Sequence, residues 1–389
     1  MIYQDLGDLE QAKEYQESAL AIRLEKLGPE HVDVATSYNN LALIYKDLGE
    51  LEEAKEYQQR ALDIELDKLG PEHVKVARSY NNLASIYQDL GELEQAKEYQ
   101  QRALDSELEK FGPEHVDVAR SYNNFALIYQ DLGDLEQAKV YQQRALAIRL
   151  DKLGSEHVDV AVSYATLASI YQELCDFEQA KEYQQRALDI ELDKLGPEHV
   201  NVARSYNNLA LIYQDLGALN QAREYQEHAL AIRLEKLGPK HVDVATSYNN
   251  LALIHKDLGD LKQAKEYEEC AIAIHLEKLG PEHVRVATSY SNLALIYKDL
   301  GDFEQAKEYQ QLALDIDLDK LGPKHANVAM SYNNLASIYK DLGDLEQAKE
   351  YQQRALAIRA DKHGRNKTPN KVRTGNRRKK LYYENYIFY

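Results

Sequence analysis

From Glu30 to Gly70 the apolar residues return every three or four positions in two successive runs. In EHVDVATSYNNLALIYKDLG they are Val34, Tyr38, Leu41, Ala42, Tyr45 and Leu48. In ELEEAKEYQQRALDIELDKLG they are Leu51, Ala54, Tyr57, Ala61, Leu62, Leu66 and Leu69. Each run predicts an amphipathic helix with one face to bury, and neither face can be covered by its partner alone.

The same two-helix text recurs along the chain. All 18 glycines except Gly375 fall into two series that step by 42 residues. One series is Gly7, Gly49, Gly91 and Gly133, then Cys175 in place of glycine, then Gly217, Gly259, Gly301 and Gly343; the other runs from Gly28 to Gly364. A fixed period of this length means a repeat array. The predicted fold class is all-α, a right-handed superhelical solenoid of antiparallel helix pairs in which each unit buries its stripes against its neighbours. Eight complete pairs are expected, with first helices beginning near Pro29, Pro71, Pro113, Ser155, Pro197, Pro239, Pro281 and Pro323. An orphan second helix precedes them at about 8–27, and Met1 to Leu6 match only the tail of a first helix. The array is expected over 1–360, with a tail over 361–389.

Punctuation agrees with this division. Gly28 stands where a helix ends on a left-handed residue, with Pro29 and Glu30 suited to the next first turn. Asp8, Asp134, Asp302 and Asp344 lie three residues before Gln11, Gln137, Gln305 and Gln347, the spacing of a capping box. Histidine recurs once per unit, at His31, His73, His115, His157, His199, His241, His283 and His325. Packed helices stand roughly 8–10 Å apart, too far for equivalent imidazoles to share a zinc ion with bonds of about 2 Å. A structural role at the helix start is therefore expected, and no metal site.

Tyr38-x-x-Leu41-Ala42-x-x-Tyr45-x-x-x-Gly49-x-x-x-x-Ala54, followed by Ala61, resembles the tetratricopeptide repeat. The longer period, with LGPEHVDVA and SYNNLA, is similar to the variety found in kinesin light chains and nephrocystin-3-like proteins. The resemblance covers about residues 1–360. It implies a non-catalytic protein-interaction module, an adapter or scaffold that grips extended peptide segments of partner proteins on a concave face lined by the first helices. The sequence departs from the family where Gln58 replaces a large apolar residue, as Gln or Glu does in every other copy, and Tyr57 is expected to take over the packing. The upstream heptad coiled coil of kinesin light chains is not found in this sequence, so a motor association is not implied.

On the first helices, two rows of asparagine become candidate groove residues. One comprises Asn39, Asn81, Asn123, Asn207, Asn249 and Asn333; the other comprises Asn40, Asn82, Asn124, Asn208, Asn250, Asn292 and Asn334. An amide offers two donors and an acceptor, so a ladder of them can clamp a peptide backbone. Alternatively they bond neighbouring helices and fix the geometry between units. Arg78, Arg120 and Arg204, with Lys46, Lys256, Lys298 and Lys340, add cations that would favour acidic peptides. Asp47, Asp257 and Asp299 stand ready to cancel part of that charge.

Composition narrows the function further. The net charge is −18, which disfavours unspecific nucleic-acid binding. No apolar run reaches the roughly 18 residues of a membrane span, and the start lacks a secretory pattern, so a cytoplasmic location without membrane insertion is expected. Only Cys175 and Cys270 are present, which fits a reducing compartment. No phosphate loop, nucleophile elbow or HExxH occurs, and the carboxylates recur with the period instead of forming one constellation. Neither catalysis nor a cofactor is expected.

Two departures from uniformity stand out. The unit at 155–174 carries Ser155, Val162, Ala165 and Thr166 where others have proline, Thr or Arg, and the asparagine pair; it ends on Cys175. A local soft spot is expected there. Residues 30–44 and 240–254 differ only at Glu30 and Lys240, a sameness that permits pairing between chains and makes a self-associating scaffold, joined through an uncapped N-terminal end, the second reading. A fragment of a larger nephrocystin-3-like signalling protein is a third. The tail carries nine Lys+Arg against two Asp+Glu; Arg377 to Lys380 read either as a targeting or anionic-surface patch or as a solvated disordered run.

Overall fold

The structure, a computed structural model, describes residues 9–365. The basic tail with Arg377 to Lys380, and the Met1 to Leu6 match, lie outside the described residues. Seventeen helices and no strand occur among those described. The orphan helix is α1 (Leu9–Leu27). The pairs that follow are α2 (Val32–Asp47) with α3 (Leu51–Leu69), α4 (Val74–Asp89) with α5 (Leu93–Phe111), α6 (Val116–Asp131) with α7 (Leu135–Leu153), and α8 (Val158–Glu173) with α9 (Phe177–Leu195). Next come α10 (Val200–Asp215) with α11 (Leu219–Leu237), α12 (Val242–Asp257) with α13 (Leu261–Leu279), α14 (Val284–Asp299) with α15 (Phe303–Leu321), and α16 (Ala326–Asp341) with α17 (Leu345–Arg365).

The chain forms two compact units, Met1–His241 and Val242–Tyr389. In each, successive helices pack on one another. This is the helical solenoid that the repeat implies. Around α2, Leu20 of α1, Val34, Leu41 and Tyr45 of α2, Ala54 of α3 and Ile86 of α4 form one buried cluster, so a single core draws on three successive repeats. Leu41, Leu83, Leu209 and Leu251 are fully buried at one repeated position, where α6 carries Phe125. Burial of each such side chain is worth about 1.5–3 kcal/mol, part of which an isolated pair forfeits. Tyr57 does take up packing: its ring stacks on Tyr45 at 5.1 Å and meets Tyr38 at 5.9 Å.

The first helices start later than the prolines suggest. Pro29 and Glu30 lie in a turn, and α2 begins at Val32 with His31 as its N-cap. The His31 Nδ1 accepts the Asp33 N–H at 3.1 Å, and His73 and His115 do the same for Lys75 and Asp117, at 3.2 Å each. Imidazole thereby fills the place usually taken by Ser or Asp, satisfying one of the free amides of the first turn.

The two glycine series serve different turns. Gly133 has φ 75°, its N–H reaches the Gln130 carbonyl at 2.9 Å, and the Asp134 N–H reaches the Tyr129 carbonyl at 2.9 Å. That is a Schellman end. Gly70 instead has φ 81° and ψ 163°, a region open only to glycine, and so not the left-handed helical conformation expected at this series. The capping-box aspartates accept as foreseen at Asp134, Asp302 and Asp344, whose Oδ1 atoms take the N–H of Gln137, Gln305 and Gln347 at 3.1–3.3 Å.

Candidate functional site

The inward face of each second helix carries more than apolar residues. Along α3 the positions Ala54, Gln58, Ala61, Leu62 and Glu65 are all buried, Gln58 completely and Glu65 to 1% exposure. Burying an amide and a carboxyl costs several kcal/mol unless both are satisfied, and here a network satisfies them. Glu65 Oε1 accepts from Asn39 Nδ2 at 3.1 Å and Oε2 from Ser79 Oγ at 2.6 Å. Gln58 Nε2 donates to Ser79 Oγ at 3.1 Å and to Asn39 Oδ1, and Asn82 Nδ2 donates to Gln58 Oε1 at 3.3 Å. One knot thus ties α2 and α3 of one repeat to α4 of the next.

The knot recurs with variations. Asn81 Nδ2 donates to Glu107 at 3.2 Å, and Asn81 Oδ1 accepts from Gln100 at 2.7 Å and from Asn124 at 3.5 Å. Asn123 accepts from Gln142 at 3.0 Å and from Thr166 at 3.4 Å, Asn207 from Gln226 at 3.2 Å, Asn249 from Ser289 at 3.2 Å and Asn333 from Gln352 at 3.3 Å. The row that begins with Asn39 is therefore engaged in bonds within and between repeats. In the second row, Asn208 donates to Gln184 at 3.5 Å and Asn334 to Gln310 at 3.1 Å, while Asn250 and Asn292 are buried and Asn40 is half-buried.

The sequence reading missed the Gln58 and Glu65 positions as interior residues. Gln58 and Glu65 share the three- and four-residue spacing of Ala54 and Ala61, a signal that polar letters hide when a stripe is traced by apolar residues alone. The residue at the Glu65 position is the variable member of the knot: Arg23, Glu65, Glu107, Arg149, Glu191, Arg233, His275, Asp317 and Arg359. Burial raises the carboxyls of Glu65, Glu107 and Glu191, against the lowering effect of the serine bonds and of the nearby cations Arg78, Arg120 and Arg204 respectively. Burial lowers Arg149, which donates to Ser163 Oγ at 2.7 Å and to the Asp159 carbonyl at 3.1 Å. In the second unit burial pushes Glu268 far upward, Asp317 up to about 7 and His275 down to about 3.

The candidate cations divide into two kinds. Lys46 reaches across to Asp89 at 3.2 Å, Lys256 to Asp299 at 3.7 Å and to Asp257 at 3.5 Å, and Lys298 to Asp341 at 3.3 Å. Where a repeat has glutamine in this row, the bridge persists as an amide–carboxylate bond, as from Gln172 to Asp215 at 2.6 Å. These lysines thus bind first helices to each other. Arg120 remains half exposed, with Nη2 2.9 Å from Asp117 and 3.6 Å from Glu107, and Arg204 stands 3.9 Å from Glu191. Arg78 and Lys340 are exposed.

Direct bridges between successive first helices make their outward positions one continuous face within each unit. In the first unit that face carries Thr36, Asn40 and Leu43, then Arg78, Asn82 and Ser85, then Arg120, Asn124 and Leu127, and further on Arg204 and Asn208. It offers guanidinium groups, amides and scattered apolar side chains. No group of three or more His, Cys, Asp or Glu suited to a metal ion occurs among the described residues. No helix among them is long and apolar enough to cross a membrane.

A tetratricopeptide repeat model matches residues 1–67, 33–107, 75–151, 117–193, 159–235, 201–277, 272–319 and 285–361. No curated protein sequence matches the chain. Among solved structures, BtubC (BKLC) from P. vanneervenii is similar at 27% identity and a TM-score of 0.49, over 62% of this chain and 96% of that one. A kinesin light chain candidate from Podosopora anserina with nearly identical TPR-like repeats is similar at 28% identity and a TM-score of 0.45, over 53% of this chain and 98% of that one. The apo form of RapI matches in fold at 17% identity and a TM-score of 0.56, over 74% of this chain and 99% of that one.

Proposed function

Because the chain belongs to the tetratricopeptide repeat family, we propose that it is a non-catalytic interaction scaffold in the cytoplasm that holds extended segments of partner proteins along the face of its first helices. The observation that carries this reading is the face itself, on which Leu43 and Arg78 are exposed and Arg120 is half exposed. The half-buried asparagines of the second row, Asn40, Asn82, Asn124, Asn208 and Asn334, meet the peptide backbone, and those of the Asn39 row hold the frame beneath them.

Arg78, Arg120 and Arg204 set the preference for acidic segments. A guanidinium has five N–H donors, and the half-exposed Arg120 uses one nitrogen on its internal partners, so the rest of the group is available to a bidentate carboxylate. The lysines contribute less, since Lys46, Lys256 and Lys298 already bridge first helices. An array of acidic, neutral and basic peptides on the purified chain tests this. Retention of acidic sequences that weakens with salt is expected; equal binding of acidic and basic sequences overturns the charge preference, and no binding of any peptide overturns the scaffold reading. Self-association, the alternative, predicts light scattering that grows with concentration without peptide.

A further inference from the structure

The variable residue of the buried knot predicts a residue on the next first helix. Glu65 is followed thirteen positions later by Arg78, Glu107 by Arg120 and Glu191 by Arg204. Where the knot holds a base the cation disappears: Arg23 is followed by Thr36 and Arg149 by Val162. The pattern has a physical cause. Glu107 is 2% exposed and has Arg120 Nη2 at 3.6 Å, so the arginine offsets a buried negative charge. Arg149 is 6% exposed and already uses the Ser163 hydroxyl and the Asp159 carbonyl. An arginine at Val162 would set two cations together where burial amplifies their repulsion. Serine suits both cases, since a hydroxyl can donate to Glu107 and accept from Arg149.

We propose that these two positions form a matching code between successive repeats, in which a buried glutamate on a second helix is matched by arginine on the next first helix and a buried arginine by a residue without charge; Asp317, followed by Met330, is an acid left without its match. The code restricts which helix pair can stack on which, within the chain and between copies of it. Such a restriction has work to do here. The repeats are otherwise nearly interchangeable: residues 30–44 and 240–254 differ at one position, and both follow an arginine, Arg23 and Arg233. Like-charge juxtaposition is a general way of rejecting wrong partners.

A composition-preserving exchange in the full chain tests it. Arg120→Val with Val162→Arg mismatches two interfaces at once and is expected to lower the urea midpoint and to speed amide exchange in α6 and α8. Adding Glu107→Arg and Arg149→Glu rebuilds both matches in swapped order, and the quadruple variant is expected to return to the wild-type midpoint and exchange rates. If the double variant does not fold, a folded quadruple supports the code in the same way. A neutral double variant, or a quadruple no better than the double, overturns it. Peptide binding does not enter either readout, so the outcome stands apart from that of the scaffold proposal.

Discussion

The Ser79 hydroxyl of α4 lies 2.6 Å from Glu65 Oε2 of α3, with both residues out of contact with water. The bond joins one repeat to the next at a place where the alternative is a buried carboxylate short of a donor. Ser79→Ala removes only one oxygen, yet it leaves that carboxylate underbonded, which costs about 1–3 kcal/mol. Urea unfolding should show a loss of that order, and Glu65→Gln in the Ser79→Ala background should recover part of it. A loss within about 0.3 kcal/mol would show that the knot contributes little beyond filling space.

Two buried groups of the second unit give opposite pH dependences. Asp317 titrates at about 7 in the folded chain against the ordinary 3.8, because it is buried beside Ser331 with Met330, not an arginine, on the next first helix. The unfolded chain gives up this proton first, so stability declines as pH rises from about 4 to about 7, by up to ~1.4 kcal/mol per unit. His275, held at about 3 against 6.5 by burial and by the charges of Arg285 and His283, lies 3.1 Å from Ser289. It is depressed, so its contribution is present above 6.5 and is lost as pH falls toward 3. Asp317→Asn should equal wild type near pH 4 and exceed it by a few kcal/mol at pH 7, whereas His275→Gln should equal it at pH 7 and exceed it at pH 4. Parallel stability curves across this range would refute both assignments.

Glu268 occupies a position that is glutamine in the eight other copies. Fully buried, its carboxyl is pushed well above the ordinary range by loss of hydration, against the lowering effect of Ser289 and Asn292. Glu268→Gln supplies the same shape without the deprotonation that favours the unfolded chain. The melting temperature at pH 7 should rise by several degrees and at pH 4 should not change. A variant that melts with wild type at pH 7 would show that burial does not raise the Glu268 carboxyl.

The stack of helix pairs was legible because the apolar stripe and the glycine period are both one-dimensional signals. Helix starts were not: Pro29 looks like a first-turn residue, yet His31 caps the helix three residues from the glycine, and imidazole is an uncommon cap. The knot was hidden for a different reason. Gln58 reads as a surface letter, and only its three-dimensional neighbours Asn39 and Ser79 reveal it as interior. For the same reason the asparagine rows looked alike in sequence, although Asn39 bonds Glu65 while Asn82 of the other row bonds Gln58.

His73 accepts the Lys75 N–H at 3.2 Å as the cap of α4. His73→Ala removes the acceptor and should cost about 1 kcal/mol, while His73→Asn retains one and should cost a few tenths. Thermal melting separates the two outcomes, and equal losses would assign the histidine a packing role instead.

Cys175 closes α8 with φ 61°, the only described residue other than glycine with positive φ. Its N–H still reaches the Gln172 carbonyl at 3.0 Å, and the Asp176 N–H the Tyr171 carbonyl at 2.9 Å, so the Schellman turn survives without its glycine. The side chain is exposed and contributes no core contact, which leaves backbone strain as the deciding effect. A left-handed residue with a Cβ costs roughly 1–2 kcal/mol, whereas glycine gives the unfolded chain an entropic advantage of roughly 0.5–1 kcal/mol. The strain is the larger, so Cys175→Gly should stabilise the chain by about 0.5–1 kcal/mol. Amide exchange over 160–180 should slow in the variant toward the rates of the equivalent segments in neighbouring repeats, and unchanged exchange there would show that the turn stores no strain.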